Sequence, residues 1–157
     1  MLYRKYYATA LLYCTALCGN THLAQDLVAD AFVKAYLALP DETPSFQFWL
    51  LRVCKNLWYD YIRKKKPLLL EDIPENTPCY DTPETLYLAA ERQQVLWKAI
   101  YALPMPDREL VTLHYFSQLS LQQIAALTGK SHAAVRQRLH RLRQQLRKHL
   151  EEEGYGF

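Results

Sequence analysis

The stretch that decides the fold is SLQQIAALTGKSHAAVRQRLHRLR, which occupies residues 120–143. Ile124 and Ala125 take inward-facing positions of a short helix. Gly129 then suits a turn, because a residue without a Cβ atom adopts positive φ freely. The helix that follows carries four apolar residues on one face: Val135, Leu139, Leu142 and Leu146. This spacing predicts a helix-turn-helix whose second helix is basic on the faces away from the core.

The residues at the helix starts support this prediction. Ser120 and Gln123 have the spacing of a capping box, in which each side chain bonds to the backbone N–H of the other residue. Ser131 stands where it can cap the second helix. Both helix starts are therefore encoded locally.

The rest of the chain is expected to be all-α. Only Gly19 and Gly129 precede the glycines at 154 and 156, and no Asn-Gly or Asp-Gly hairpin signal occurs in the 157 residues. Apolar periodicity and the positions of the prolines predict helices over residues 2–18, 21–38, about 46–65, 83–102, 106–116, 120–127 and 132–150.

These helices group into two small domains, expected at residues 1–66 and 83–150. Residues 67–82 contain three prolines and several acidic residues, which is typical of a flexible acidic linker. Sixteen extended residues reach at most about 55 Å, so the two domains can act at separate places. Residues 151–157 are expected to be a frayed tail.

Charge is segregated along the chain. Residues 1–66 hold nine basic and five acidic residues, residues 67–106 hold two and six, and residues 107–157 hold eight and five. Residues 130–150 contain seven basic residues and no acidic one. Two basic blocks on either side of an acidic segment indicate a polyanion contacted at two places.

Several classes of protein are disfavoured. The four cysteines form no CxxC pair, and no secretory signal or membrane-length apolar run is visible, so a cytoplasmic protein without membrane insertion is expected. The histidines lack metal-ligand spacing, and no nucleophile–base pair or phosphate-binding loop is present, so we expect no enzyme, metal site or cofactor. Cys14 and Cys18 lie one helical turn apart; a thiol switch is conceivable, but core packing is favoured.

The predicted helix 46–65 carries a second signal. Its aromatic residues, which include Phe48, Trp49 and Tyr59, alternate with basic residues. Aromatic rings and cations together suit single-stranded nucleic acid, because bases stack on the rings while cations follow the phosphates. Packing in the core is the favoured alternative for each ring taken singly.

Together these stretches resemble the sigma-70 family of bacterial transcription factors. Residues 24–36, 49–56 and 60–63 look like sigma domain 2, and residues 82–84, 102–104 and 108–113 with the helix-turn-helix look like domain 4. With no domain 3 and no acidic N-terminal region, the plan resembles the extracytoplasmic-function subgroup. The resemblance covers about residues 3–150.

The resemblance implies a factor that binds core RNA polymerase, at its clamp and flap regions, and directs it to promoter DNA. Domain 4 would recognise the −35 element as duplex, and domain 2 would capture the −10 element as the non-template strand separates. An anti-sigma factor is a further partner implied by the family.

Recognition helices contact base edges with their N-terminal residues and the backbone with later ones. The residues expected to recognise −35 bases are Arg136, Gln137, His140 and Arg141. The residues expected to contact −35 phosphates are Lys130, Arg138, Arg143 and Arg147.

The family places −10 recognition in the loop at about residues 41–47 and on the helix that follows it. The corresponding −10 residues are Arg52, Lys55, Asn56, Arg63, Lys64 and Lys65. The family's polymerase-binding helix corresponds to Asp26, Leu27, Val28, Asp30 and Phe32.

Three positions depart from the family pattern. Ala29 stands where glutamine is usual, and Asp30 where glutamate is usual, which would weaken polymerase binding or shift it to neighbours. Lys130 replaces an apolar turn residue, which would thin the local core or supply a phosphate contact.

Two alternatives stay open from the sequence. A stand-alone helix-turn-helix regulator, with the first domain serving dimerisation, explains residues 120–150 but not the aromatic–basic helix. A protein-interaction module that keeps a sigma-like fold but binds only a partner protein is the other.

Overall fold

The structure, a computed structural model, describes residues 2–38, 46–69 and 91–154. These ranges fold into helices only, as predicted. The helices are α1 (Leu2–Cys18), α2 (Thr21–Ala38), α3 (Phe46–Leu69), α4 (Glu91–Tyr101), α5 (Met105–Phe116), α6 (Leu121–Thr128) and α7 (His132–Glu152).

Most predicted boundaries agree with the structure, and α3 is the main exception. It continues four residues beyond its predicted end and includes Pro67 in its last turn. A proline at this position removes one backbone hydrogen bond and crowds the carbonyl four residues earlier, and the helix ends two residues after it. The predicted linker from residue 70 onward and the predicted helical residues 83–90 lie outside the described residues.

The turn between α1 and α2 is built by two residues. Gly19 has φ 72°, and its N–H donates to Thr15 O at 2.8 Å. The Asn20 side chain then accepts a hydrogen bond from the N–H of Leu23 at 2.9 Å, which caps α2. The predicted break at Gly19-Asn20 is thereby confirmed.

Helices α1, α2 and α3 pack into one bundle. Small buried side chains such as Ala10, Ala24 and Ala31 let the helices approach closely. Cys14 and Cys54 are fully buried in the same core, and burial together with the neighbouring Cys54 thiol raises the pKa of Cys14. A thiol with a raised pKa is unreactive, so Cys14 acts as a packing residue.

The helix-turn-helix forms as predicted. Ser120 and Gln123 make both hydrogen bonds of the capping box, and the Ser131 hydroxyl accepts the N–H of Ala134 at 3.1 Å. Gly129 ends α6 with φ 71°. The predicted apolar face of α7 is buried at Val135, Leu139, Leu142 and Leu146.

The two halves of the chain are in contact, which the sequence did not predict. Helix α1 packs against α5, and α3 touches α6, so the buried apolar residues form one continuous core. The contact brings Tyr13 on α1 next to the first turn and a half of α5. Among the predicted site residues, Lys55 is the one that this packing covers, because its partners Glu109 and Leu127 lie in the second half.

Replacing Gly129 with alanine is expected to destabilise the protein by about 1 kcal/mol, because the left-handed conformation is costly for a residue with a Cβ atom. An added Cβ meets no atom within 4 Å, so the loss comes from the backbone conformation and not from a clash. Urea unfolding measures the loss. Gly129→Asn is the control and should lose less, since asparagine tolerates this conformation; equal losses would contradict the explanation.

Candidate nucleic-acid and polymerase interfaces

The exposed face of α7 presents the four predicted base-recognition residues together. The N-cap at Ser131 fixes where the helix starts, and the buried face against α4, α5 and α6 fixes its rotation. The remaining side chains therefore point outward. One open groove on this face is lined by Arg136, Gln137, His140 and Arg141.

Arg138 is in a different situation from its neighbours. Its Nε and a terminal nitrogen donate to the two carboxylate oxygens of Asp107 at 2.8 and 2.6 Å. This bidentate hydrogen bond, with the charge of Asp107, raises the pKa of Arg138. Arg138 thus ties α7 to the start of α5. Its predicted phosphate contact stays a prediction, and any phosphate would have to share it with Asp107.

The other predicted phosphate residues, Lys130, Arg143 and Arg147, are exposed. The Lys130 side chain adds nothing to the core, so the turn lacks the apolar contact usual in the family. Its backbone N–H still donates to Ala125 O at 3.1 Å. Arg143 lies close enough to His114 on α5 to act on it: partial burial, and secondarily the charge of Arg143, lowers the pKa of His114.

Helix α3 exposes most of the predicted −10 residues. Arg52, Asn56, Arg63 and Lys64 are exposed. The Arg52 guanidinium lies 5.8 Å from the centre of the Phe48 ring, and Arg63 forms an exposed ion pair with Asp60. The side chain of Lys65 and the loop residues 39–45 lie outside the described residues.

Lys55 is the exception on α3, because it is buried. Its Nζ atom lies 3.1 and 3.3 Å from the two carboxylate oxygens of Glu109 and donates to Leu127 O at 2.9 Å. Only 7% of Lys55 is exposed. In this arrangement the amine cannot reach a DNA phosphate, so its predicted −10 contact stays a prediction that requires another arrangement of the two halves.

Three consecutive charged residues at the start of α5 are buried, and the sequence analysis missed them. Asp107 binds Arg138, Arg108 donates from Nε to Ala16 O, and Glu109 accepts from the Tyr13 hydroxyl at 2.5 Å as well as from Lys55. Burial and the Glu109 carboxylate raise the pKa of Tyr13 well above its usual value. A run of charged residues in a sequence predicts a solvent-exposed segment. Its burial becomes apparent only from the binding partners, which are distant in the sequence.

The predicted polymerase-binding residues do not share one surface. Leu27, Val28 and Phe32 are buried in the α1–α3 core, while Asp26 and Asp30 are exposed. The three apolar residues can shape α2, but they do not reach a partner in this conformation. Their role in polymerase binding stays a prediction, and from these buried positions it would be indirect.

A neighbouring apolar patch was missed by the sequence analysis. Ala29 is exposed, and three large side chains further along α2 also stand in solvent: Val33, Tyr36 and Leu37. Leu37 is 83% exposed. Residues three and four apart on a helix are neighbours, so these side chains and the two aspartates form one face, which the helical spacing alone could have indicated.

Within the described ranges, no cluster of three or more histidine, cysteine or acidic residues could hold a metal ion. Among the same residues, no helix combines the length and the apolarity needed to cross a bilayer.

The family described as Sigma-70 region 2 matches residues 2–67, and the one described as Sigma-70, region 4 matches residues 93–146. The chain belongs to the extracytoplasmic-function (ECF) group of sigma-70 RNA polymerase sigma factors. The resemblance inferred from the sequence is confirmed.

Individual relatives support this membership. The sigma factor is 33% identical over 150 residues to the ECF RNA polymerase sigma factor SigW of Bacillus subtilis, covering 87% of this chain and 80% of SigW. It is 34% identical over 139 residues to the ECF RNA polymerase sigma factor SigE of Mycolicibacterium smegmatis, covering 85% of this chain. It spans only about half of that SigE protein, 54% of its length.

A solved structure shares the fold. The sigma factor RpoE of Bartonella quintana, in complex with the anti-sigma factor NepR, superimposes with a TM-score of 0.69 at 22% identity over 96% of both chains. Because both sigma regions are matched, the chain is not a stand-alone helix-turn-helix regulator.

The lowered pKa of His114 predicts a pH dependence of stability. The folded protein binds this proton less readily than the unfolded chain, whose histidine titrates near 6.5. Stability should therefore be unaffected by His114 above that pH and fall as the pH drops through 6.5 toward the folded pKa. Urea unfolding at pH 8 and pH 5 should show a smaller loss for His114→Gln than for the wild type; an equal loss would contradict it.

Proposed function

We propose that this sigma factor recognises a promoter at two places, with α7 on the −35 duplex and α3 on the −10 strand. As an ECF sigma factor it binds core RNA polymerase and directs promoter-specific initiation. The observation that carries the proposal is the shared groove of Arg136, Gln137, His140 and Arg141 on the capped helix of a helix-turn-helix. The proposed units are residues 1–66 and 83–150.

Electrostatics and geometry support the −35 assignment. The groove lies in the N-terminal half of α7, the part of a recognition helix that enters the major groove. Arginine can donate two hydrogen bonds to guanine, and glutamine can pair similarly with adenine. No acidic residue occurs between residues 130 and 150, so nothing on this stretch repels phosphate.

The proposed −10 surface combines exposed cations with accessible rings. Arg52, Asn56 and Lys64 are exposed on α3, and Tyr59 is 42% exposed. Phe48 and Trp49 are half-buried at the start of the same helix. Bases flipped from the separating strand can stack on such rings while the cations follow its phosphates.

We propose that the exposed face of α2 binds the clamp of RNA polymerase. The second unit of the chain, residues 83–150, would bind the flap. Asp26 and Asp30 supply charge there, and Val33, Tyr36 and Leu37 supply apolar area that water would otherwise cover. An exposed apolar face of this kind also suits an anti-sigma factor, the class of partner named in the Bartonella quintana complex. We assign the protein no catalytic role and place it in the cytoplasm, with polymerase.

Transcription with purified core RNA polymerase tests the function. Promoters selected from a library of genomic fragments should yield transcripts with defined start sites only when the sigma factor is added, and the protein should co-purify with core. Core alone is the control. No association and no specific transcript would contradict the proposal and favour a sigma-like interaction module.

Substitutions of two arginines on α7 test base recognition and phosphate binding separately. Arg136→Ala should lose about 1–3 kcal/mol of discrimination at one −35 base pair, because a base-edge contact is removed. Arg147→Ala should weaken binding to all DNA sequences equally. It should also make the negative slope of log K against log salt shallower by about 0.9, because one phosphate contact is lost. Both are measured by titrating the selected promoter and its single-base variants; equal, sequence-independent losses for both would refute the assignment.

A further inference from the structure

A row of aromatic rings joins α1 to the first turn of α3. The centres of the Tyr6 and Phe46 rings are 5.3 Å apart, and those of Phe46 and Trp49 are 6.3 Å apart. Phe46 is buried, whereas Tyr6 and Trp49 are half-buried and reach the surface. The start of α1 therefore lies beside the start of α3, at the residue where the predicted −10 loop ends.

An exposed cation lies against a ring on each of these two helices. The Lys5 ammonium of α1 lies 5.3 Å from the centre of the Tyr6 ring, and the Arg52 guanidinium of α3 lies 5.8 Å from that of Phe48. Both cationic side chains are exposed. Helix α1 thus repeats the combination of cation and ring on which the proposed −10 surface of α3 depends.

The charge around Lys5 is not neutralised from within the protein. Helix α1 contains no acidic residue, and α3 contains only Asp60, which pairs with Arg63. Among the described residues Lys5 takes part in no ion pair. An exposed cation without a counter-charge attracts an anion, and the DNA strand proposed to bind α3 brings phosphates next to it.

We propose that Lys5 extends the −10 surface from α3 onto α1 by binding a phosphate of the separated strand. Tyr6 is the positioning residue, because its ring holds the ammonium beside the start of α3. The proposal rests on the proposed −10 role of α3 and adds a residue that lies outside the predicted set. A phosphate carries no base identity, so Lys5 contributes affinity and the path of the strand, not the choice of sequence.

The first arm of the test measures DNA binding by holoenzyme made from core RNA polymerase and the full chain. The probe is a fluorescein-labelled fork-junction DNA of a promoter selected as above, with a duplex −35 region and a single non-template strand at −10. Lys5→Gln should weaken binding about threefold, the size of one exposed ion pair, and make the negative slope of log K against log salt shallower by about 0.7. Lys5→Arg keeps the charge and should bind like the wild type.

Lys98→Gln is the matched control, since Lys98 is an exposed lysine on α4, in the other half of the chain. It removes the same charge and should change neither the affinity nor the salt slope. Unchanged binding by Lys5→Gln, or an equal loss in Lys98→Gln, would overturn the proposal; the second result would show an effect of net charge only.

The second arm identifies the phosphate. Single phosphates of the non-template strand are replaced in turn by uncharged methylphosphonate. One replacement should weaken the wild type about threefold and leave Lys5→Gln unaffected, because groups in contact show non-additive losses. If every replacement weakens both proteins equally, no phosphate is coupled to Lys5 and the proposal fails.

The role of Tyr6 is tested by two substitutions. Tyr6→Phe keeps a ring face under the ammonium and should bind like the wild type. Tyr6→Leu removes the ring and should lose part of the affinity that Lys5→Gln loses, with no additional loss when the two changes are combined. Wild-type affinity in Tyr6→Leu, or fully additive losses, would contradict the positioning role.

Urea unfolding separates a binding role of Lys5 from a structural one. The ring contact stabilises the folded chain slightly, whereas the helix macrodipole disfavours a cation in the first turn of α1, so the two effects offset each other. Lys5→Gln should therefore unfold at the same urea concentration as the wild type, and a clear loss of stability would overturn the proposal.

Failure of this contact is distinguishable from failure of the proposed function. Promoter-specific transcription by the wild type, with unchanged binding by Lys5→Gln, would refute the Lys5 contact alone. Absence of specific transcription by the wild type would refute the proposed function and the contact with it.

Discussion

Burial of the Glu109 carboxylate is the constraint on which the arrangement of the helices depends. A carboxylate removed from water requires hydrogen-bond donors and a counter-charge, and here they come from Tyr13 on α1 and Lys55 on α3. The Lys55 ammonium is in turn completed by Leu127 O, next to the turn of the helix-turn-helix. The Glu109 carboxylate and the Lys55 ammonium together therefore link α1, α3, α5 and α6.

The two residues that precede Glu109 on α5 bind other helices. Successive residues on a helix point about 100° apart, so Asp107, Arg108 and Glu109 face different partners. Asp107 holds α7 through Arg138, and Arg108 reaches a backbone carbonyl of α1. The first turn and a half of α5 thus orients the recognition helix and binds the first half of the chain at the same time.

The two proposed DNA surfaces differ in their exposure to solvent. The groove on α7 is open, and its four side chains are accessible without any rearrangement. On α3 the outer cations are accessible, whereas Lys55 is committed to Glu109. In this conformation the proposed −35 surface is therefore accessible, whereas part of the proposed −10 surface is covered.

The sequence by itself determined the helix-turn-helix, its caps at Ser120 and Ser131, the glycine turns and the family, because these depend on spacing and on contacts within a few residues. It also indicated which residues of α7 face outward, since one apolar stripe defines the opposite face. Only the tertiary structure decided that Lys55 and residues 107–109 are buried. A charged residue is buried when a partner distant in the sequence neutralises it, and no local pattern encodes that partner.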